Sequence, residues 1–207
     1  MLMPIQPPLI LASGSRYRYE LLRRLQFDFS VISPDIDEAA HAGEPADRTA
    51  LRLAQQKAEA IALTANGAVI IGSDQVASLD NEHIGKPGSH ANALVQLKKM
   101  QGRCVVFHTA LCVLDTREVD IVRRLQTAII DTTVTFRRLS DQQLDAYLHI
   151  EKPYDCAGSA KNEGLGIALI EAIRSDDPTA LTGLPLIALT GMLLQSGFTF
   201  FNHPAPR

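Results

Sequence analysis

The chain has 207 residues, enough to bury a sizeable hydrophobic core in one domain or in two small lobes. Its apolar fraction of 46% and charged fraction of 21% are typical of a soluble globular protein. A net charge of −3 argues against a broad nucleic-acid-binding surface, which needs a clear basic excess, but allows a small anionic ligand held by a local cluster of cations.

Cysteine usage and the N-terminus bear on the cellular compartment. The three cysteines, Cys104, Cys112 and Cys156, lack CxxC spacing, which argues against a disulfide framework and against a zinc site. Residues 1–8 contain no basic residue and do not resemble a signal peptide. The longest apolar stretch, residues 181–194, is shorter than the roughly 20 residues that span a bilayer. We therefore expect a cytoplasmic protein with neither a membrane nor a nucleic acid as its partner.

The first half of the chain predicts alternating strands and helices. Leu21, Leu22 and Leu25 have helical spacing after a short apolar run, which indicates a strand, a tight polar loop and a helix. A fully apolar run at residues 68–72 indicates a buried central strand. We predict strands at residues 9–12, 27–32, 68–72 and 76–79, helices at 16–25, 49–65 and 90–100, loops at 34–47 and 80–90, and a bend at 72–75.

The second half predicts a long hairpin followed by shorter elements. Residues 104–115 and 121–136 are rich in Val, Thr and Ile, which favour strands, and residues 116–120 supply the turn. We also predict helices at residues 140–147 and 185–194, a strand at 167–173, a glycine-rich polar loop at 155–166 and a turn at 176–178. Because hairpin strands pair antiparallel, the sheet is not purely parallel. The expected fold is one α/β domain over residues 1–207, with a mixed, elongated twisted sheet flanked by helices.

A Ser/Gly loop joins the first predicted strand to the first predicted helix. Residues 13–18 read Ser-Gly-Ser-Arg-Tyr-Arg. Such a loop presents free backbone N–H groups and the positive end of a helix dipole, which suit a phosphate, and two guanidinium groups add donors. The alternative is a serine-capped helix with solvated arginines.

An aspartate follows the predicted central strand. Asp74 comes directly after an apolar run, which places it at the carboxyl edge of the sheet, where open α/β sheets bind ligands. There a carboxylate can coordinate Mg²⁺ or accept a proton from water. The alternative is a turn aspartate that bonds its own backbone.

Several other features carry less information by themselves. Lys86 lies between a glycine and a proline, where a restrained lysine can contact a phosphate. Glu38 ends an acidic cluster at residues 35–38, for which a solvated loop is the alternative. Lys57 lies on a predicted helix, and residues 157–164 form a polar glycine-rich segment. The histidines show no ligand spacing and are expected to be structural or at the surface: His41, His83, His90, His108, His149 and His203.

Together these strings resemble the Maf-like nucleotide pyrophosphatases. The chain carries LILAS at 9–13, DE at 37–38, QKA at 56–58, GSDQ at 72–75, GKP at 85–87 and CAGS at 156–159, in the order and spacing of that family. The match extends to GLPL at 183–186 and so covers nearly the whole chain. GSDQ and the KNEG string at 161–164 resemble the branch that hydrolyses 7-methyl-GTP, since the dTTP/UTP branch has Thr in place of Gln75 and Gln in place of Glu163.

The resemblance implies a Maf/ITPase-like fold and a pyrophosphatase in which water attacks the α-phosphorus and pyrophosphate leaves. It implies Asp74 as proton acceptor and Glu38 as a group that holds the metal or the water, although the sequence leaves open which carboxylate is base and which is ligand. The cofactor is then a divalent cation, Mg²⁺ or Mn²⁺. The implied catalytic residues are Asp74, Glu38, Lys57 and Lys86, the metal ligands are Asp74 and Glu38, and the substrate-binding residues are Ser13, Ser15, Arg18 and Lys161.

Three residues are implied to set substrate choice. A 7-methylguanine ring carries a positive charge, on which Tyr17 can stack and which Glu163 can offset, while Gln75 can bond the base or sugar. The chain departs from the family loop at Arg16, which replaces a proline, and at Tyr19, which replaces a second arginine. Tyr17 stands where the 7-methyl-GTP branch usually has Trp, the stronger cation–π partner.

Two other functions compete with this hypothesis. One is a non-catalytic nucleotide-binding regulator of septum formation, a role also associated with this family. The other keeps the enzyme class but changes the substrate to another modified or canonical triphosphate. The resemblance further implies a homodimer.

Overall fold

The computed structural model describes residues 6–117 and 125–201, in which one mixed sheet carries helices on both faces. Its strands are β1 (Leu9–Ala12), β2 (Ser30–Val31), β3 (Val69–Leu79), β4 (Glu82–Ile84), β5 (Cys104–Asp115), β6 (Leu125–Phe136) and β7 (Ile170–Ser175). The α-helices are α1 (Arg16–Arg23), α2 (Ala46–Ala62), α3 (His90–Met100), α4 (Asp141–Glu151) and α5 (Leu186–Gln195). Short 3₁₀ turns lie at Ala157–Ser159, Leu165–Leu169 and Ala180–Thr182.

The sheet combines parallel and antiparallel pairs, as predicted. Its strand order is β2-β1-β3-β5-β6-β7, and β4 pairs with β3 outside this path. β1 runs parallel to both β2 and β3, whereas β3, β5, β6 and β7 form antiparallel neighbours. The predicted α/β fold with a mixed sheet is therefore confirmed.

Strand β3 runs without interruption through the polar residues 73–76. The predicted bend at 72–75 is wrong, because Val69–Leu79 is one strand that pairs with β5 along almost its whole length. On the opposite edge of β3, β1 pairs only with residues 69–72 and β4 only with 77–79. Residues 73–76 therefore have no strand neighbour on that edge among the described residues. Asp74 lies inside β3, beside the carboxyl end of β1, and not after the end of its own strand as predicted.

Other predicted bounds need smaller corrections. The loop predicted at 80–90 contains β4, and the strand predicted at 27–32 is reduced to Ser30–Val31. α2 begins at Ala46. Pro45 precedes it and lacks an N–H group, which is tolerated because the backbone N–H groups at the start of a helix have no intrahelical acceptor. β7 begins at Ile170, because 165–169 form a 3₁₀ turn. Parts of the predicted turn at 116–120 and strand at 121–136 lie outside the described residues.

Helix α2 packs on the sheet at backbone distance. Its inner stripe consists of Ala50, Ala54 and Ala58, all completely buried. A Cβ atom added at Gly72 would lie 2.1 Å from the carbonyl oxygen of Ala54. Only a glycine on β3 and small side chains on α2 permit this approach. The close packing carries Lys57, on the same helix, down to the level of the sheet.

The opposite face of the sheet carries two further apolar clusters. Successive side chains of a strand point to opposite faces, so Val69, Ile71, Ala77 and Leu79 share the face that α2 does not cover. Val69 and Ile71 pack with α1 and α5, and the other two pack with α3 and α4. The segment 180–183 contacts β3 between these two clusters, through hydrogen bonds from Ser73 and Gln75.

None of the helices in the described ranges is both long enough and apolar enough to cross a lipid bilayer.

Candidate active site

A cleft of about 840 Å³ lies at residues 74–76 of β3, within the stretch that has no strand neighbour on one edge in the described ranges. This volume lies within the range of about 300–1,000 Å³ for small-molecule sites. Distant parts of the chain line it, among them residues 13–18, residues 33–40, one side of α2, β3 with the β4 segment to Lys86, residues 155–163, and residues 181–183. Since each part follows or flanks a different element, the fold brings distant sequence motifs together here.

Lys57 joins two carboxylates at the floor of the cleft. Its Nζ lies 2.6 Å from Oδ1 of Asp74 and 2.7 Å from Oε1 of Glu38. Lys57 is 5% exposed and Asp74 is 8% exposed, so this ion pair is largely removed from water. A buried ammonium is costly unless it is paired, and the two carboxylates provide the pairing. The structure therefore brings three of the predicted catalytic residues into direct contact.

Arg18 is held at the cleft by the loop that precedes it. Its Nε donates to the carbonyl of Gly183 at 2.8 Å, and its Nη1 donates to Oγ of Ser13 at 3.3 Å. Ser13 also accepts from the N–H of Ser15 at 3.1 Å, and Ser15 caps α1 by accepting from the N–H of Arg18 at 3.4 Å. Hydrogen bonds thus link Ser13, Ser15 and Arg18 at the start of α1, where Ser15 caps the helix and all three residues line the cleft.

The start of α1 offers further donors to an anion. The first hydrogen bond of this turn runs from the N–H of Tyr19 to the carbonyl of Ser15. The N–H groups of Arg16 and Tyr17 precede it, at the end of the helix where backbone donors lack intrahelical acceptors. Both residues line the cleft. The helix dipole adds a partial positive charge at the same point.

The charged side chains of the cleft shift one another's pKa values. The hydrogen bond from Lys57 holds the pKa of Glu38 below its ordinary value, and the charges of Lys86 and Arg18 lower it further, against the effect of desolvation. Desolvation lowers the pKa of Arg18, and the charges of Asp74 and Glu38 oppose that change. Lys86, an exposed residue after β4, therefore faces the same centre as Arg18 and Lys57.

The cleft also contains an aromatic ring and an acid. Tyr17 and Glu163 both line it. Burial raises the pKa of Tyr17, and the negative charge of Glu163 raises it further. Lys161 is not among the lining residues, and its Nζ lies 3.5 Å from Asp155. Binding of substrate by Lys161 stays a prediction.

The side chain of Gln75 stabilises the protein's own structure through hydrogen bonds to a neighbouring strand and a turn. Its Nε2 lies 2.8 Å from Oγ1 of Thr109 and 3.1 Å from the carbonyls of both Ala180 and Leu181. These bonds use the amide nitrogen to hold the turn that ends at Gly183. Contact of Gln75 with a base or sugar stays a prediction, while its contact with this turn is observed.

Two residues that position Arg18 were not singled out from the sequence. The Gly183 carbonyl accepts from Arg18, and Oγ of Ser73 lies 3.0 Å from the same carbonyl oxygen. Gly183 has a φ of 108°, a backbone conformation that favours glycine at the end of a helical turn, so the sequence could have indicated where this turn ends. The sequence could not have indicated that the Gly183 carbonyl accepts from Arg18, because every residue type carries a backbone carbonyl.

The carboxylates also suit a divalent cation. Asp74 and Glu38 both line the cleft, and each places one of its two carboxylate oxygens on Lys57. Oxygen donors of this kind are preferred by hard cations such as Mg²⁺ and Mn²⁺. The residues present therefore fit such an ion.

Comparison with known families agrees with the family resemblance of the site residues. Residues 8–196 match the family model described as Maf-like protein. The chain belongs to the Maf-like family. The predicted family is thereby confirmed, and the match includes every predicted site residue of the cleft.

Relatives of this family member carry consistent names. It is 61% identical to the 7-methyl-GTP pyrophosphatase of Cupriavidus metallidurans, over 95% of this chain and 97% of the relative. It is 58% identical to the 7-methyl-GTP pyrophosphatase of Ralstonia nicotianae, over 95% of this chain and the full length of the relative. Among solved structures, it overlaps a nucleoside-triphosphatase, or dITP/XTP pyrophosphatase, from Mycobacterium abscessus, over 64% of this chain and 75% of that chain. That overlap has a TM-score of 0.39 and 16% identity, and is too partial to carry a functional argument.

Proposed function

We propose that this protein hydrolyses 7-methyl-GTP to 7-methyl-GMP and diphosphate, and so removes a modified nucleotide. The observation that carries the proposal is the convergence of Arg18, Lys57 and Lys86 with Asp74 and Glu38 in one cleft. The names of the relatives at 58–61% identity supply the substrate.

The charge balance of the cleft supports a triphosphate ligand. Arg18, Lys57 and Lys86 offer three positive charges, of which the carboxylates of Asp74 and Glu38 offset two. A bound triphosphate brings about four negative charges, and its hydrolysis depends mainly on positioning and on charge neutralisation. The side chains therefore leave a deficit of positive charge, which supports one or two Mg²⁺ ions as the missing component.

The roles of the two carboxylates follow from their surroundings. In the proposed reaction a water oxygen bonds to the α-phosphorus, the bond from that phosphorus to the bridging oxygen of pyrophosphate breaks, and Asp74 accepts the water proton. Asp74 suits this role because β3 holds its backbone and Lys57 orients its carboxylate. Glu38 is more accessible, with 53% of its side chain exposed against 12% for Asp74, so it can reach a hydrated cation. It is then the better metal ligand.

A divalent cation bound by Asp74 and Glu38 supplies Lewis acidity and charge compensation at the phosphates. The protein side chains position the substrate around it. Arg18, held by Gly183 and Ser13, presents the remaining edge of its guanidinium group toward the phosphates. Lys86, which follows β4, also lines the cleft.

The part of the cleft that Tyr17 and Glu163 line supports a cationic base. Stacking of 7-methylguanine on Tyr17 contributes about 0.5–2 kcal/mol, which corresponds to a preference of roughly two- to thirtyfold. The carboxylate of Glu163 can accept from the N–H edge of the base or offset its charge. Gln75 supports this part of the cleft indirectly through the turn at 180–183.

A substrate panel tests the proposal. Pyrophosphate release is measured with Mg²⁺ for 7-methyl-GTP, GTP, dTTP and UTP, and 7-methyl-GTP is expected to have the highest kcat/KM. Asp74→Asn is expected to lower kcat at least about 100-fold while the fold is kept, because the amide oxygen can still accept from Lys57. Asp28→Asn, at an exposed aspartate away from the cleft, is the matched control.

The panel also separates the competing functions. Binding without pyrophosphate release, unchanged by Asp74→Asn, would support a non-catalytic regulator, including one of septum formation. Equal kcat/KM values for all four nucleotides would refute 7-methyl-GTP as the preferred substrate but keep the reaction class.

Compartment and assembly complete the proposal. The three cysteines, all within the described residues, are free thiols, which supports a reducing compartment such as the cytoplasm. The homodimer stays a proposal that analytical ultracentrifugation tests directly.

A further inference from the structure

We propose a second metal site, separate from the catalytic cleft, that binds a zinc-like transition-metal ion between α3 and α4. Its ligands are His90, at the start of α3, and Asp145 and His149, one turn apart on α4. One ligand atom from each lies within 4.8 Å of the others. Linear spacing does not reveal this group, because His90 lies far from the other two along the chain.

The contacts of the cluster have the geometry of a coordination site. Nε2 of His90 lies 2.7 Å from Oδ1 of Asp145, and Nε2 of His149 lies 3.4 Å from Oδ2 of the same carboxylate. Ligands of a tetrahedral zinc ion lie about 3.3 Å apart, given bonds of about 2.0–2.1 Å. Small side-chain rotations therefore admit an ion, and water can complete its coordination.

Tyr154 directs the free nitrogen of His90 toward Asp145. The Tyr154 hydroxyl lies 3.3 Å from the carbonyl oxygen of Leu148 and 3.1 Å from Nδ1 of His90. When Nδ1–H of His90 donates to the Tyr154 oxygen, Nε2 carries the lone pair that binds a metal ion, and this nitrogen lies 2.7 Å from Oδ1 of Asp145. A partner that fixes the tautomer is the usual support of a metal-bound histidine.

The second histidine adds a third ligand to the group. The rings of His90 and His149 have centroids 4.6 Å apart and are tilted by 34°. One divalent ion can bind a nitrogen of each ring and the carboxylate together. His149 also lies in the last turn of α4, where the helix dipole favours a cation, although the dipole of α3 at His90 opposes it. Two imidazoles and one carboxylate suit Zn²⁺ better than Mg²⁺.

The position of this cluster gives the ion a bracing role. Behind it, the N–H of Gly88 donates to the carbonyl of Tyr154 at 3.0 Å, which ties the segment that carries Lys86 to the segment that enters the cleft at Asp155. An ion on His90 would fasten the start of α3 to the end of α4 and restrain both segments. The expected effect is on stability, with no contact to the reacting atoms.

Zinc binding to the untagged full-length protein tests the site. Calorimetric titration with Zn²⁺, with Mg²⁺ in excess to compete for the carboxylates of the cleft, is expected to show one more zinc ion on the wild type than on His149→Ala. Asp145→Asn should lower the affinity at least tenfold, and His41→Ala, at an exposed loop histidine, should leave it unchanged. Zinc at about 100 times its Kd should raise the Tm of the wild type by about 5 °C but not that of His149→Ala.

Cobalt provides an independent readout. Co²⁺ bound at this site should give the visible absorption of a tetrahedral ion, and the absorption should disappear in His90→Ala and in His149→Ala. Equal zinc stoichiometry, affinity and Tm shift for wild type and His149→Ala would overturn the proposal, whatever the activity of the enzyme on nucleotides.

Discussion

Substitution of Gly72 tests how closely α2 approaches the sheet. In Gly72→Ala the new Cβ would lie 2.1 Å from the Ala54 carbonyl oxygen and 3.0 Å from the backbone nitrogen of Ala58. Ordinary contacts are about 3.5 Å, so the helix must move by more than about 1 Å. Both contacts are with main chain, which cannot rotate away. Overpacking costs about 1–3 kcal/mol, and we expect about 3 kcal/mol here, of which less than about 1 is offset by the reduced entropy of the unfolded chain.

Urea unfolding followed by far-UV circular dichroism measures this cost. With a slope of about 2 kcal/mol per molar urea, the midpoint should fall by about 1 M. Gly191→Ala is the matched control, because this glycine lies inside α5 with nothing within 4 Å of its added Cβ. The control should raise stability by about 0.5–1 kcal/mol. A second substitution, Ala58→Gly, should not rescue Gly72→Ala, since the shortest contact is with the Ala54 backbone.

Gly72→Ala should also lower the rate of hydrolysis, because it displaces Lys57. A shift of α2 by about 1 Å would break the 2.6 Å contact between Lys57 and Asp74, and misplacement of this size costs about 100-fold in rate. The rate is measured as pyrophosphate release on the folded protein without urea. An unchanged urea midpoint and unchanged kcat would refute the inference that backbone contact between α2 and β3 sets the catalytic geometry.

Three further predictions concern single side chains. Asp177→Ala should destabilise the protein by about 2–3 kcal/mol in urea unfolding, because the buried Asp177 carboxylate accepts from two backbone N–H groups at the start of α5; an unchanged midpoint would contradict this. The hydrogen bond from Arg52 lowers the pKa of Glu44, so its stabilisation is present above the ordinary carboxyl pKa of about 4.3 and is lost as pH falls through the lower folded value. Glu44→Gln should therefore flatten the acid limb of unfolding free energy against pH, and a curve as steep as that of the wild type would disprove the assignment. Tyr17→Trp should raise the ratio of kcat/KM for 7-methyl-GTP over GTP about two- to tenfold, and no change in the ratio would exclude stacking on residue 17.

Much of the fold could be predicted from local pattern. The alanine stripe of α2 and the apolar run at 68–72 indicate a helix and a buried strand, and both are present. The continuation of β3 through residues 73–76 was missed, because polar side chains are tolerated in a strand whose edge opens onto a cleft. β4 was missed as well, since three residues become a strand only through pairing with β3.

The site divides in a similar way. The shared location of Ser13, Arg18, Lys57 and Asp74 in one cleft could be predicted from the family resemblance, and for Ser13, Arg18 and Asp74 also from residue types that suit phosphate and metal chemistry. The anchoring of Arg18 by the Gly183 carbonyl could not, because it depends on a backbone atom placed by the chain's tertiary path.

Because β3 is continuous, the position of Asp74 does not depend on the residues proposed to contact the base. Asp74 is fixed by main-chain pairing opposite Ala110 on β5, in the interior of the sheet. Tyr17 lies on α1 and Glu163 in a turn, both outside the sheet, so replacement of either side chain leaves that ladder intact. A chain built this way can acquire a new preferred base by substitution at these two positions while Asp74, the proposed proton acceptor, stays in place.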